Sequence, residues 1–125
     1  MDIMAGEIVH ATYKTGKYAA ELMETGNDRA LVKILAVLRH PTQGDLHYPN
    51  QVDVAFQQRR ALAEFEKTWV HPASLHKYEG EVPEYRQSLK AAVEAEIEKL
   101  KAKDNEWAAL SIEMLEDLKN DYHIK

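Results

Sequence analysis

The sequence predicts an α+β fold in which the strands come first and the helices last. Over residues 1–80, short segments rich in β-branched and aromatic side chains alternate with turn residues, a pattern typical of strands. After Glu79-Gly80 the apolar side chains recur every three or four residues, a pattern typical of helices. With 125 residues the chain has the size of one domain with one core. We therefore expect residues 1–80 and residues 81–125 to pack together as one structural unit.

Three strands are predicted before residue 40. Residues 7–13 are rich in β-branched and aromatic side chains, and residues 14–17 indicate a tight connection to a second strand over residues 18–25. The second segment also contains good helix formers, so a helix is the alternative there. Gly26-Asn27-Asp28 is a strong turn signal. Residues 29–40 alternate apolar side chains at period two, which favours a central strand, and a buried helix would fit the same run.

Further short strands are predicted between residues 50 and 80. Residues 52–56 fit one strand, and the alternation is clearer from Arg60 onward. One side of this later strand carries Ala61, Ala63, Phe65 and Trp69. A helix over residues 57–66 is the alternative. Residues 71–75 resemble a 3₁₀ turn before a last strand at residues 76–78. About five short strands, a long loop and a turn before the last strand together predict a small SH3-like β-barrel.

Two helices are predicted after residue 80. Pro83 suits the first turn of a helix, where its missing N–H costs nothing. The apolar stripe of the first helix consists of Tyr85, Leu89, Val93, Ile97 and Leu100. Asp104 is the predicted N-cap of the second helix. The apolar stripe of the second helix consists of Trp107, Leu110, Met114, Leu118 and Tyr122. Two such stripes joined by a short connection predict a C-terminal antiparallel helical hairpin.

Charge and composition argue against several classes of function. The net charge is −5; residues 1–80 hold 9 Lys/Arg and 10 Asp/Glu, and residues 81–125 hold 7 and 11. Neither part offers the clustered basic surface that binds nucleic acid. The sequence contains no cysteine, which excludes thiol catalysis and cysteine zinc sites. It shows no signal-peptide pattern and no apolar run long enough to cross a bilayer. We expect a cytoplasmic protein without direct membrane insertion.

No catalytic or cofactor-binding pattern is present in the sequence. His40, Asp45 and His47 lie in one loop, and imidazole and carboxylate groups can bind zinc, but their spacing matches no compact metal motif. Hydrogen bonds that order the loop are the favoured interpretation. The serines lie outside any Gly-x-Ser-x-Gly turn, and no glycine-rich phosphate-binding motif occurs. The sequence therefore predicts a protein that is not an enzyme and that holds no metal or cofactor.

The predicted partner-binding surface combines a long loop with aromatic side chains. Residues 40–49 contain two prolines and a glycine, and loops of this length often carry function. Aromatic residues of small barrels can form a groove for an extended peptide, although they more often fill the core. The candidate partner-binding residues are Tyr18, His40, Gln43, Gly44, Asp45, His47, Tyr48 and Trp69.

Several unusual strings in the sequence resemble one known family. They are Gly6-Glu7-Ile8-Val9 with residues 13–18, the loop from His40 to His47 with Pro49, Arg60-Ala61-Leu62-Ala63, and Tyr78-Glu79-Gly80-Glu81-Val82-Pro83-Glu84-Tyr85 with Ser88-Leu89. Their order and distances are similar to those of the kinase-associated protein B family, and the resemblance covers almost the whole chain.

The resemblance implies a regulator rather than a kinase. Members of the family are implied to support a membrane sensor histidine kinase that feeds the sporulation phosphorelay of spore-forming bacilli. The family is sometimes described as a lipoprotein, and this sequence departs from that description because it has no cysteine to carry the lipid. We expect membrane proximity to come through the kinase or an associated phosphorelay protein, and modulation to occur by contact without phosphotransfer.

Three other functions fit parts of the sequence. The first is an SH3-like peptide- or protein-binding module with a different cytoplasmic partner. The second is a metal-dependent hydrolase that uses His40, Asp45 and His47. The third is an RNA-binding small barrel, which the acidic charge balance disfavours.

Overall fold

The computed structural model describes residues 3–44 and 56–124. Its strands are Ile8–Tyr13 (β1), Gly16–Thr25 (β2), Ala30–Arg39 (β3), Lys67–Val70 (β4) and His76–Lys77 (β5), with a 3₁₀ turn at Pro72–Ser74. Its helices are Tyr85–Lys101 (α1) and Glu106–Tyr122 (α2). The five strands form one antiparallel sheet in the order β4-β3-β2-β1-β5. The predicted α+β class, with strands first and helices last, is confirmed.

The β1–β2 hairpin has a two-residue loop and a glycine with a steric role. Tyr13 pairs with Gly16, which leaves Lys14 and Thr15 in the loop, and Lys14 adopts a left-handed φ of 55°. A Cβ atom on Gly16 would lie 2.5 Å from the Tyr18 hydroxyl oxygen. Any side chain at position 16 would therefore displace the buried Tyr18 ring.

The two segments with helix alternatives are strands. β2 buries Tyr18, Ala19, Ala20 and Leu22, and β3 buries Ala30, Val32, Ile34 and Ala36 at alternate positions. Pairing between β2 and β3 satisfies the backbone groups of both, with register shifts along the way. The helix-forming residues of β2 are held in a strand because burial and pairing on both sides outweigh weak intrinsic propensity.

The predicted strand from Arg60 is wrong over most of its length. Residues 57–63 belong to no strand or helix, and β4 begins only at Lys67. The helix alternative for residues 57–66 is also wrong. The expected apolar side is not a buried face, because Phe65 is 59% exposed and Trp69 is 38% exposed. Residues 52–55 of the other predicted strand lie outside the described residues, and Phe56 belongs to no strand.

Side-chain caps fix where both helices begin. The Glu84 carboxylate accepts a hydrogen bond from the Gln87 N–H at 2.8 Å, so α1 begins at Tyr85 and Pro83 precedes the cap. The Asn105 side chain accepts one from the Ala108 N–H at 2.7 Å. Asp104 is therefore not the N-cap of α2, contrary to the prediction. Pro83 is likewise outside the first turn of α1.

The buried stripe of α1 matches its prediction except at the half-buried Tyr85, whereas that of α2 matches only at Trp107 and Leu118. Leu89, Val93, Ile97 and Leu100 are buried along α1. The buried face of α2 consists of Trp107, Ala108, Ser111, Leu115 and Leu118. Leu110 and Met114 are only half-buried. The buried face of α2 includes Ser111, which is polar. Because the prediction followed apolar residues only, it chose Leu110 and Met114 instead.

One buried cluster contains side chains from the strands and from both helices. A polar contact fixes α1 against the sheet, because the backbone N–H of Val37 in β3 donates to the buried hydroxyl of Ser88 at 3.0 Å. The same hydroxyl donates to the carbonyl of Tyr85 at 2.7 Å. The first turn of α1 is thereby held beside the end of β3.

Replacing Leu115 with Ala should lower the free energy of unfolding by about 2–5 kcal/mol, because Leu115 is fully buried and the change leaves a cavity. The matched control is Leu110→Ala on the neighbouring row of α2. Leu110 is half-buried, so its loss should be about 1 kcal/mol. Urea unfolding of both variants measures the difference. Equal losses of stability in the two variants would contradict the assignment of Leu115, rather than Leu110, to the buried face of α2.

Candidate functional site

The structure brings four of the predicted partner-binding residues together. His40, Gln43 and Gly44 follow β3, and Tyr18 lies on β2; all four are buried. Tyr18, Gln43 and Gly44 bond directly to the same irregular stretch, residues 57–62, which we call the clasped segment. His40 reaches this segment through the Tyr122 hydroxyl. The predicted partner-binding residues Asp45, His47 and Tyr48 lie outside the described residues. Trp69 lies on β4, where its ring is stacked against Arg29.

His40 is joined to α2 through the Tyr122 hydroxyl. The Nδ1 atom of His40 lies 3.0 Å from the carbonyl oxygen of Pro41, and Nε2 lies 2.9 Å from the Tyr122 hydroxyl. Because a carbonyl only accepts, Nδ1 carries the proton and Nε2 accepts from Tyr122. The Tyr122 oxygen in turn accepts from the Ala61 N–H at 2.9 Å. This arrangement, the Tyr122 bridge, uses the neutral imidazole.

Gln43 and Gly44 hold the other end of the clasped segment. The Gln43 side-chain amide donates to the carbonyl of Arg59 at 2.9 Å and accepts from the N–H of Arg59 at 2.9 Å. The Gly44 N–H donates to the carbonyl of Gln57 at 2.9 Å. The Arg59 Nε donates back to the carbonyl of Gly44 at 3.0 Å. Residues 43–44 thus substitute for a paired strand.

Two more tyrosines, one from β2 and one from α1, form hydrogen bonds with the backbone of Leu62. The Tyr18 hydroxyl accepts from the Leu62 N–H at 3.2 Å, and the Tyr85 hydroxyl donates to the Leu62 carbonyl. The Gln58 amide adds contacts to α2, donating to the Met114 carbonyl at 3.0 Å and to Asp117 at 2.9 Å. The clasped segment is therefore bonded to β2, α1 and α2 at once.

Burial disfavours the charged forms of the histidine and the tyrosines of this network. It lowers the pKa of His40 to about 4 and raises the pKa of Tyr18 to about 12. It also raises the pKa of Tyr85 and of Tyr122. Near neutral pH every hydroxyl of the network keeps its proton, and His40 keeps the acceptor nitrogen that Tyr122 needs.

A cleft of about 390 Å³ opens beside the clasped segment. Its described lining consists of Tyr13, Lys14, Thr15, Tyr18, Pro41, Gln58, Arg59, Arg60 and Leu62. This set includes three cationic side chains and no carboxylate, in a protein whose net charge is −5. The Arg60 guanidinium also forms an exposed ion pair with Asp121 at 3.2 Å. We call this space the basic cleft; its cations and aromatic wall suit an acidic ligand.

A model of the family described as Kinase associated protein B matches residues 13–123. The chain belongs to this family. A protein named Kinase-associated lipoprotein B, from Bacillus subtilis (strain 168), is 43% identical over 118 residues, which cover 94% of this chain and 92% of that protein. An X-ray crystal structure of kinase-associated protein B from Bacillus cereus is similar with a TM-score of 0.83 and 40% identity, over 97% of this chain and 98% of that chain.

The family resemblance identified from the sequence is thus confirmed. Among the described residues, no three His, Asp or Glu side chains converge as a metal site would require. Neither helix in the described part of the chain is long and apolar enough to cross a membrane. Both nitrogens of His40, the described member of the metal hypothesis, are engaged in hydrogen bonds within the chain.

Sequence reasoning missed most of the hydrogen bonds around the clasped segment. Tyr85 and Tyr122 were expected only as the ends of apolar stripes, but their hydroxyls bond the clasped segment. The first three residues of the Arg60-Ala61-Leu62-Ala63 string, noted for its resemblance, lie in that segment. Each of these tyrosines ends an otherwise apolar stripe. Because a buried tyrosine hydroxyl usually has a hydrogen-bond partner, this position could have indicated a polar contact.

Replacing Tyr122 with Phe should lower the free energy of unfolding by about 1–3 kcal/mol, because His40 Nε2 and the Ala61 N–H both lose their partner. The matched control is Tyr78→Phe, whose hydroxyl bonds the Glu81 carbonyl at the surface. That change should stay within about 0.5 kcal/mol. Urea unfolding at neutral pH measures both values. A loss no larger than that of the control would show that the bridge is not structural.

Acid should destabilise the protein between about pH 6.5 and pH 4. The folded pKa of His40 is about 4 and its ordinary value is 6.5, so in this window the unfolded chain binds a proton that the folded chain does not. Stability is therefore lost as the pH falls, by about 3 kcal/mol across the window, and His40 has no effect above it. Urea unfolding across this range measures the slope. His40→Gln should reduce the slope of stability against pH. An equally steep slope in this variant would show that His40 is not the group responsible.

Proposed function

We propose that this chain is a non-catalytic accessory protein that supports a membrane sensor histidine kinase feeding the sporulation phosphorelay. Its membership of the kinase-associated protein B family carries the proposal, together with the name of its Bacillus subtilis relative, Kinase-associated lipoprotein B. The partner is the kinase or a phosphorelay protein associated with it, and the protein acts in the cytoplasm by contact. Membrane proximity then comes through the partner.

The basic cleft is the proposed contact site for that partner. Lys14, Arg59 and Arg60 offer positive charge, and Tyr13, which is half-buried, offers apolar and hydrogen-bonding surface. An acidic segment of the partner fits this combination. Of the partner-binding residues expected from the sequence, His40, Gln43 and Gly44 are bonded within the chain, so we propose that they position the cleft wall rather than touch the partner.

The finer architecture is part of the proposal. We infer that residues 1–80 form an SH3-like barrel and residues 81–125 an antiparallel helical hairpin packed on it. The sheet order β4-β3-β2-β1-β5 and the 3₁₀ turn between β4 and β5 support the barrel. One cleft is lined by Arg86 and Gln87 at the start of α1 and by His123 and Ile124 at the end of α2. The start of α1 therefore lies near the end of α2, as an antiparallel hairpin requires.

A role without phosphotransfer fits the surroundings of His40 and His123. A phosphoacceptor needs an accessible imidazole with a nearby base, and His40 is buried with both nitrogens bonded. His123 is exposed, but it follows α2 in a left-handed conformation at the helix end rather than on a helical face. The contact mechanism therefore needs no reaction at either side chain.

Replacing Lys14 with Asn should weaken kinase binding about tenfold without loss of stability. The change removes one charge from the basic cleft, and Asn accepts the left-handed φ of 55° better than Lys does. Biolayer interferometry with the cytoplasmic part of a Bacillus subtilis sensor histidine kinase measures binding, and urea unfolding measures stability. The matched control is Lys90→Asn, an exposed cation of α1 that lies outside this cleft.

If Lys14→Asn and Lys90→Asn bind the kinase equally well, the basic cleft is not the contact site. The accessory role itself is tested by expressing this chain in a Bacillus subtilis strain that lacks its 43% identical relative and counting heat-resistant spores. Restored sporulation supports the role, and a normal spore count without either protein contradicts it. If no kinase binds but another cytoplasmic protein does so through Lys14, the alternative of an SH3-like binding module with a different partner replaces it.

A further inference from the structure

Two large aromatic side chains are exposed close to the outer edge of the sheet. Phe65 is 59% exposed and Trp69 is 38% exposed. Phe65 belongs to the turn that leads into β4, and Trp69 belongs to β4 itself. Isolated exposed apolar residues are ordinary, but neighbouring aromatics are enriched at sites of protein contact. Neither ring is needed to fill the core.

The backbone conformation at position 65 disfavours a phenylalanine side chain. Its φ is 66°, in the left-handed region that bulky side chains rarely adopt. The turn is fixed by backbone bonds, because the Phe65 N–H donates to the Ile34 carbonyl at 2.7 Å and the Glu66 N–H donates to the Ala63 carbonyl at 3.1 Å. Gly or Asn would make the same bonds with less strain. Strain of this kind is concentrated at functional sites.

Cations surround the two rings. The Arg29 guanidinium carbon lies 4.2 Å from the centre of the Trp69 ring, and the Lys33 ammonium lies 5.7 Å from the centre of the Phe65 ring. Lys33 is also directly opposite Lys67 in the β3–β4 register, a like-charge pair that disfavours folding. Lys33 is paired with Glu21 at 3.6 Å, whereas Arg29 and Lys67 form no salt bridge with any carboxylate of the described residues.

β4 is also the terminal strand of the sheet. It pairs with β3 on one side, and no described strand pairs with its other side. The unpaired backbone groups of such an edge can accept an added strand from another protein. Side chains on one face of a strand repeat every second residue, so an added strand would place alternate side chains beside Trp69 and Lys67.

We propose that this edge binds an extended partner segment that presents apolar and acidic side chains in turn, at every second residue, on the face shared with Trp69 and Lys67. We call it the aromatic–basic edge; it consists of Phe65, Lys67 and Trp69 with Arg29 and Lys33. The apolar side chains of the segment contact the two rings, and its carboxylates meet the three cations. The surface is separate from the basic cleft, and the proposal goes beyond the kinase-supporting role because it does not depend on the identity of the partner.

Titration with two matched synthetic peptides tests the proposal. One is a fluorescein-labelled peptide in which valine and glutamate take turns at every second position, with threonine between them, and the other replaces every glutamate with lysine. We expect the glutamate peptide to bind the full chain at least about tenfold more tightly in fluorescence anisotropy. In nitrogen-15 NMR spectra it should shift the amide signals of Lys67–Val70 and slow their hydrogen exchange. Equal binding of both peptides, or shifts confined to other parts of the chain, would overturn the proposal.

Two substitutions separate this role from a structural one. Phe65→Asn should weaken the glutamate peptide about tenfold while the urea midpoint stays the same or rises, and Lys67→Glu should weaken it by a similar factor. Met4→Ser, which changes another exposed apolar residue, should leave the affinity unchanged. Unchanged affinity in Phe65→Asn would overturn the proposal. Sedimentation of the protein without peptide checks for a dimer. A dimer that Phe65→Asn dissociates would also overturn the proposal, because a second copy of the chain would then occupy the edge.

Discussion

The Tyr122 bridge is the interaction on which the described architecture around residue 40 depends. One hydroxyl joins His40 after β3, Ala61 in the clasped segment and Tyr122 at the end of α2. It donates to the first and accepts from the second, so both of its hydrogen-bonding roles are filled. A buried imidazole is tolerated there because its other nitrogen bonds the Pro41 carbonyl and because burial keeps the ring neutral. Parts of the chain that are far apart in sequence are thereby held in one arrangement.

The clasped segment shows how a chain without regular secondary structure acquires a fixed shape. Its N–H and carbonyl groups are bonded to Gln43, to Gly44 and to the tyrosines of three different elements. Backbone groups near a core need partners of some kind, and side chains supply them here in place of a neighbouring strand. Because one side of this segment lines the basic cleft, the same bonds that satisfy the backbone also define the cleft wall.

Left-handed residues occur in two different settings in this protein. Asp104 precedes α2 and His123 follows it, and at helix ends this conformation has an ordinary structural role. Lys14 and Phe65 lie in tight turns beside the basic cleft and within the aromatic–basic edge, where glycine or asparagine would be less strained. Both proposed contact surfaces therefore carry a residue whose side chain disfavours its own backbone conformation.

The sequence by itself determined the α+β class, the change from strands to helices near residue 80, the buried stripe of α1 and the family, because periodic burial and unusual strings are local properties. Tertiary structure decided that β2 is a strand despite its helix formers, and that residues 57–63 pair with side chains instead of a strand. It also placed Ser111, rather than Leu110, on the buried face of α2. At the site, the sequence singled out His40 and Gln43 but not their partners. A hydrogen bond between residues 61 and 122 arises only when the chain is packed, so it leaves no periodic trace in the sequence.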